Sequence, residues 1–213
     1  MANLTNATLA VADSAVAAAP SFLLAIPLAM WDIVSAPLHH SHMQWIVIPL
    51  LLTFFLTEFY FYRHPDEELG WNAALMNSLV LVFIAIDLTK TIFENQPPLA
   101  VAKLFVTSIL TGEQLSSFLV IIFIGGLGLF LATVNYFHML PRRIAFIVAS
   151  HPVINFIAYI AIVIVYSEKA GDPVTLGAPF VIAATLLFTA FVYIMFKLQS
   201  SLGTLNYGQY RRS

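Results

Sequence analysis

Five stretches of this chain run for about the length of a membrane-spanning helix with almost no charge. A helix crossing a hydrocarbon core of roughly 30 Å needs about 20 predominantly apolar residues, because each residue rises about 1.5 Å. The windows are residues 45–62, 71–93, 115–140, 144–166 and 174–196. Glu58 is the acid in the first, Asp87 and Lys90 interrupt the second, and the third and fourth contain no Asp, Glu, Lys or Arg. Trp45, Tyr60, Tyr62, Trp71, Tyr136 and Tyr166 fall at or near window ends, the level at which amphipathic rings settle.

Two further segments carry a different pattern. Residues 15–37 are apolar enough to cross, but Pro20, Pro27, Asp32 and Pro37 interrupt them. Proline removes a helical hydrogen bond and kinks the rod. Residues 1–43 are therefore expected as a broken, interfacial or re-entrant piece, with a sixth crossing as the alternative. Within residues 97–114, Lys103, Thr107 and Thr111 recur every four positions and leave the apolar side chains mostly on other faces. That spacing predicts a helix lying flat at the interface. Residues 199–213 read as a tail.

The distribution of Lys and Arg orients the spans. With five crossings, one side receives Arg63, Arg142, Arg143, Lys197, Arg211 and Arg212, the other Lys103 and Lys169 with Lys90 close by. The richer side is cytoplasmic, which places the C-terminus inside and the N-terminus outside. Two sequons, at Asn3 and Asn6, agree with an outer N-terminus.

Composition narrows the class without changing the picture. The 213 residues are 60% hydrophobic and 9% charged, where soluble domains carry roughly 25% charge. So little polar surface cannot cover so much apolar material in water, and the mean hydropathy is +0.89. The fold class expected is an all-α integral membrane protein, one membrane domain of five or six spanning helices with one interfacial helix. No Lys or Arg precedes Arg63, so a cleaved signal peptide is not expected. The absence of cysteine excludes disulfides, thiolate metal sites and a cysteine nucleophile. A net charge of −2 with no basic block argues against nucleic acid as a partner. The partners expected are the lipid bilayer and either further copies or other membrane subunits.

Polar residues at lipid depth need a reason, since each ionisable group there costs about 2.5–3.5 kcal/mol on insertion scales. Glu58, Asn77, Asn135, His138, His151 and Asn155 project to a similar, cytoplasmic level. In the third window Gly125, Gly128, Ala132, Asn135 and His138 share one helical face, and in the fourth His151, Asn155 and Ala158 do. The turn at Pro141–Arg143 makes these windows neighbours, so their polar faces are expected to meet. Pro152 should open the fourth helix near His151 and free backbone carbonyls. One reading is a proton- or ion-handling site with His138 and His151 titrating; the other is hydrogen-bond glue between helices.

Two outer features complete the set. Asp87 and Lys90, at i and i+3, are expected to pair. His39, His40 and His42 precede the first window; imidazoles so close can bind copper or zinc, although the spacing fits no structural zinc pattern. The chain lacks a phosphate-binding glycine loop, an HExxH pair and a GxSxG elbow, so it is not expected to be an enzyme. A small transporter or channel for protons, ions or a small solute is the leading expectation. The alternatives are a non-catalytic subunit of a membrane complex and a membrane metalloenzyme.

Overall fold

The computed structural model describes residues 2–63, 70–93, 97, 100, 103, 106–107, 115–171, 174 and 176–210, apart from the side chains of 2–20, 61–63, 196 and 198–210. Its helices are α1 (Ala2–His39), α2 (Ser41–Arg63), α3 (Trp71–Ile92), α4 (Leu115–Tyr136), α5 (Arg142–Val148), α6 (His151–Lys169) and α7 (Ala178–Tyr210). Six segments are long and apolar enough to cross a membrane: Ser21–His39, Ser41–Tyr60, Trp71–Ile92, Leu115–Tyr136, Arg142–Lys169 and Ala178–Met195. The protein is thus an all-α, multi-pass bundle. Most of the expected interfacial helix lies outside the described residues; positions 100, 103, 106 and 107 are helical.

The continuity of α1 corrects the expectation of a broken N-terminal piece. α1 runs unbroken through Pro20, Pro27 and Pro37. Proline's φ is itself helical; what it removes is a donor, and a neighbour can supply one. Pro37 leaves the Ile33 carbonyl without its helical N–H, and the Tyr159 hydroxyl of α6 donates to that carbonyl at 2.8 Å. At the end of α1, Gln44 Nε2 donates to the Pro37 carbonyl at 2.9 Å. His40 alone then separates α1 from α2.

α6 is the axis of the bundle. Ala161, Ile162, Val163, Ile164 and Val165 are all buried in succession, which requires neighbours on every side of the helix. On one flank α3 and α4 pack closely together; on the other lie α2, α1 and α7, with α7 resting on α1. α3 and α4 can approach because their facing positions are small. Gly125 lies against Ala85, and a Cβ on Gly128 would come within 2.9 Å of the Leu81 Cβ. The glycine run inside α4 is therefore a packing surface.

These two flanks leave two grooves along α6. One, between α4 and α7, is apolar: Phe123, Ile157, Phe180 and Phe188 are among its walls, and its volume is about 480 Å³. The other separates α2 from α3, which scarcely touch each other while both lie against α6. Polar groups occupy both ends of this second groove.

Candidate functional site

The inner end of the groove is built around a helix break. The fourth window was expected to open near Pro152, and it does: α5 ends at Val148, Ala149 and Ser150 interrupt it, and α6 begins at His151 with Pro152 in its first turn. Proline fits that first turn because its missing N–H has no helical acceptor there. The carbonyl of Ala149, released by the break, receives a hydrogen bond from Asn77 Nδ2 of α3 at 2.9 Å. Asn77 is buried at 7% exposure, so this bond closes a group that lipid could not satisfy.

The same amide holds His151. Asn77 Oδ1 lies 2.9 Å from His151 Nδ1. Because the amide nitrogen is committed to Ala149, the oxygen is what faces the ring, so Nδ1 carries the hydrogen and donates it. Nε2 of the neutral ring is then a bare lone pair. It is buried and among the described residues makes no hydrogen bond of ordinary geometry, with the Thr53 backbone of α2 beside the ring. Phe54 of α2 covers the ring, with centroids 6.4 Å apart and planes 12° from parallel.

The rest of the expected cluster divides. Asn155 Nδ2 donates to the His151 carbonyl at 3.0 Å, within its own helix. Glu58 is half-buried on α2, one turn past Phe54 and on the same face. Asn135 does not meet the fourth window. Its Nδ2 donates to Ser78 Oγ of α3 at 3.1 Å, and Ser78 in turn donates to the Ala74 carbonyl at 2.7 Å. The small face of α4 thus meets α3, which offers the complementary small residues Ala74, Ser78 and Ala85. His138 leaves the cluster as well. α4 ends at Tyr136, and His138 adopts a φ of 53° in the turn beyond it. There its ring lies 4.2 Å from that of Trp71, which also meets Phe146 edge-on at 5.3 Å. Helical phase failed for His138 because the helix stops before reaching it.

The outer end of the groove is a cavity of about 790 Å³. It unites features that the sequence leaves apart: His39, His40 and His42 from the α1–α2 turn, Asp87 and Lys90 from α3, and Lys169 from α6. Two expectations are corrected here. Asp87 and Lys90 line the same cavity, but no ion pair joins them among the described residues; Lys90 is exposed and Asp87 half-buried. Nor do the three histidines converge on a metal-binding group among the described residues. His39 Nδ1 is instead turned back to donate to the Ser35 carbonyl at 3.0 Å. Closeness in sequence brings the three histidines to one cavity wall without placing their nitrogens around one point.

Several organising residues were not singled out in the sequence. Glu168, near the end of α6, accepts hydrogen bonds from Ser116 Oγ at 2.6 Å, from the Ser117 backbone N–H at 2.9 Å and from Ser117 Oγ. It is a cap for α4 supplied by another helix, and its charge suits the positive end of the α4 dipole. Next to it, Lys169 Nζ donates to the Thr91 carbonyl of α3. Thr91 Oγ1 is also 3.3 Å from the Tyr166 hydroxyl. The available signal was a pair of serines opening the third window and one acid closing the fourth. No protein-family model, no curated protein and no solved structure matches the chain, so its function is read from this geometry alone.

Proposed function

We propose that the chain is a small membrane transporter or channel, in which protons, ions or a small polar solute move along the groove between α2 and α3. The observation that carries this reading is the interrupted fourth span with the buried, unpartnered Nε2 of His151 beside it. Interrupted helices at membrane depth are the means by which transporters place backbone polar groups at a binding site. Here the freed carbonyl is already satisfied by Asn77, which leaves Nε2 as the group with unused capacity. An imidazole lone pair can accept a proton or a hydrogen bond.

The groove is open along its side, where Pro49 and Thr53 of α2 are exposed. A second copy of the chain or another membrane subunit would close it. The test is flux in liposomes under a pH or ion gradient. Purified wild-type protein is expected to give flux, and His151→Ala to lose most of it. Flux in His151→Ala equal to wild type would sink the inner site. Flux by the chain alone supports a homo-oligomer, whereas flux recovered only with a co-purifying subunit supports a mixed assembly.

A further inference from the structure

The geometry points to the outer cavity as a binding site for a small oxyanion, a carboxylate or phosphate group. This goes beyond transport and does not depend on it, because binding is measured without flux. At about 790 Å³ the cavity falls in the range of roughly 300–1,000 Å³ typical of small-molecule sites. Among the described residues its permanent charges are two ammoniums, Lys90 and Lys169, against one carboxylate, Asp87, which leaves one positive charge in excess.

The titratable groups facing the cavity come from three places. The α1–α2 turn supplies His39, His40 and His42; α3 supplies Asp87 and Lys90; α6 supplies Tyr166 and Lys169. The stretch of α2 beyond His42 contributes Trp45, Ile46 and Pro49 to the wall, and no charge. Imidazole is the side chain that gains charge as pH falls from about 8 to about 6.

The donors are also set in place. Lys169 is held by the Thr91 carbonyl, so its ammonium is fixed in the wall. The exposed Lys90 can reach a ligand from the opposite helix. The His39 bond to Ser35 uses the Nδ1 hydrogen, so Nε2 donates to an oxyanion only from the imidazolium form. Ser41 and Thr91 add hydroxyls to the wall. A metal cation is disfavoured by the ammoniums, and the described histidines do not gather around one point.

The experiment is calorimetric titration of the purified full chain in phosphatidylcholine nanodiscs. One arm adds inorganic phosphate and a second adds acetate, at pH 8 and at pH 6. A third arm replaces part of the phosphatidylcholine with phosphatidylglycerol and asks whether it competes with phosphate. Acetate, whose charge is constant between pH 8 and pH 6, is expected to bind more tightly at pH 6, where imidazoles are more often protonated. Lys90→Gln is expected to weaken it roughly fivefold, the scale of a solvent-screened charge contact, and His40→Gln with His42→Gln to flatten the pH dependence. Asp87→Asn is expected to strengthen binding. Competition by phosphatidylglycerol identifies a lipid headgroup as the source, and its absence a free solute. No heat in any arm at pH 6, or a loss of binding in Asp87→Asn, overturns the proposal, the latter because it makes the ligand a cation.

Discussion

At the scale of single residues, Asn77 serves two partners that lie far from it in sequence. It satisfies a carbonyl released by a helix break and fixes the tautomer of His151. Replacing it with a side chain of similar shape and no hydrogen bonds strands both partners out of reach of water. An unsatisfied buried group costs about 1–3 kcal/mol, so Asn77→Leu should lower the unfolding temperature in detergent clearly. Asn155→Leu is the control, because its side chain only adds to a carbonyl within its own helix; its effect should be small. Equal unfolding temperatures for Asn77→Leu and wild type would refute the assignment. Asn77 and His151 were both legible from the sequence, since polar groups at lipid depth stand out. Their pairing was not, because helical phase gives a face and not the neighbour that face meets.

Among the elements, α3 and α4 show where phase analysis held and where it failed. The small and polar positions of α4 do share a face, as their spacing predicts, but that face meets α3 through Ala74, Ser78 and Ala85. The short turn to the next segment had suggested otherwise. Connection length decides which helices can be neighbours; close contact is decided by which surfaces are small enough. The glycines of α4 make this testable. A methyl group at Gly128 would meet the Ser78 carbonyl at 3.0 Å and Leu81 and Val82 at 2.9 Å, whereas one at Gly126 meets nothing within 4 Å. Gly128→Ala is expected to destabilise by about 1–3 kcal/mol through overpacking. Gly126→Ala should be neutral or slightly stabilising, since alanine favours helix over glycine by up to about 1 kcal/mol. Equal thermal stability of the two variants would contradict the packing described. The break before α6 was legible because Pro152 names its own position. The continuity of α1 was not, because the donor that offsets Pro37 comes from Tyr159, more than a hundred positions away in the chain.

For the whole molecule, if all six apolar segments cross, the number is even and both ends of the chain lie on one side. We propose from the Lys and Arg distribution that this side is the cytoplasm, in which case the sequons at Asn3 and Asn6 go unused. The chain has no cysteine, so single introduced thiols report cleanly. Asn3→Cys and Ser213→Cys should both resist an impermeant maleimide in intact cells and react after lysis. Labelling of Asn3→Cys in intact cells would show that the N-terminal helix does not cross.

The cap that Glu168 gives α4 has a mechanical consequence. A carboxylate engaged by two serines fixes the register of α4 along α6, and Asn77, Thr91 and Lys169 fasten α3 to the same axis. Tyr159 reaches to α1 on the other flank. If the flanks rock against each other, α6 can travel with α3 and α4 as one block while α1, α2 and α7 swing as the second, the Tyr159 bond to α1 being the contact that must give. The groove between α2 and α3 lies along that seam, so such a swing would open one of its ends as it narrows the other.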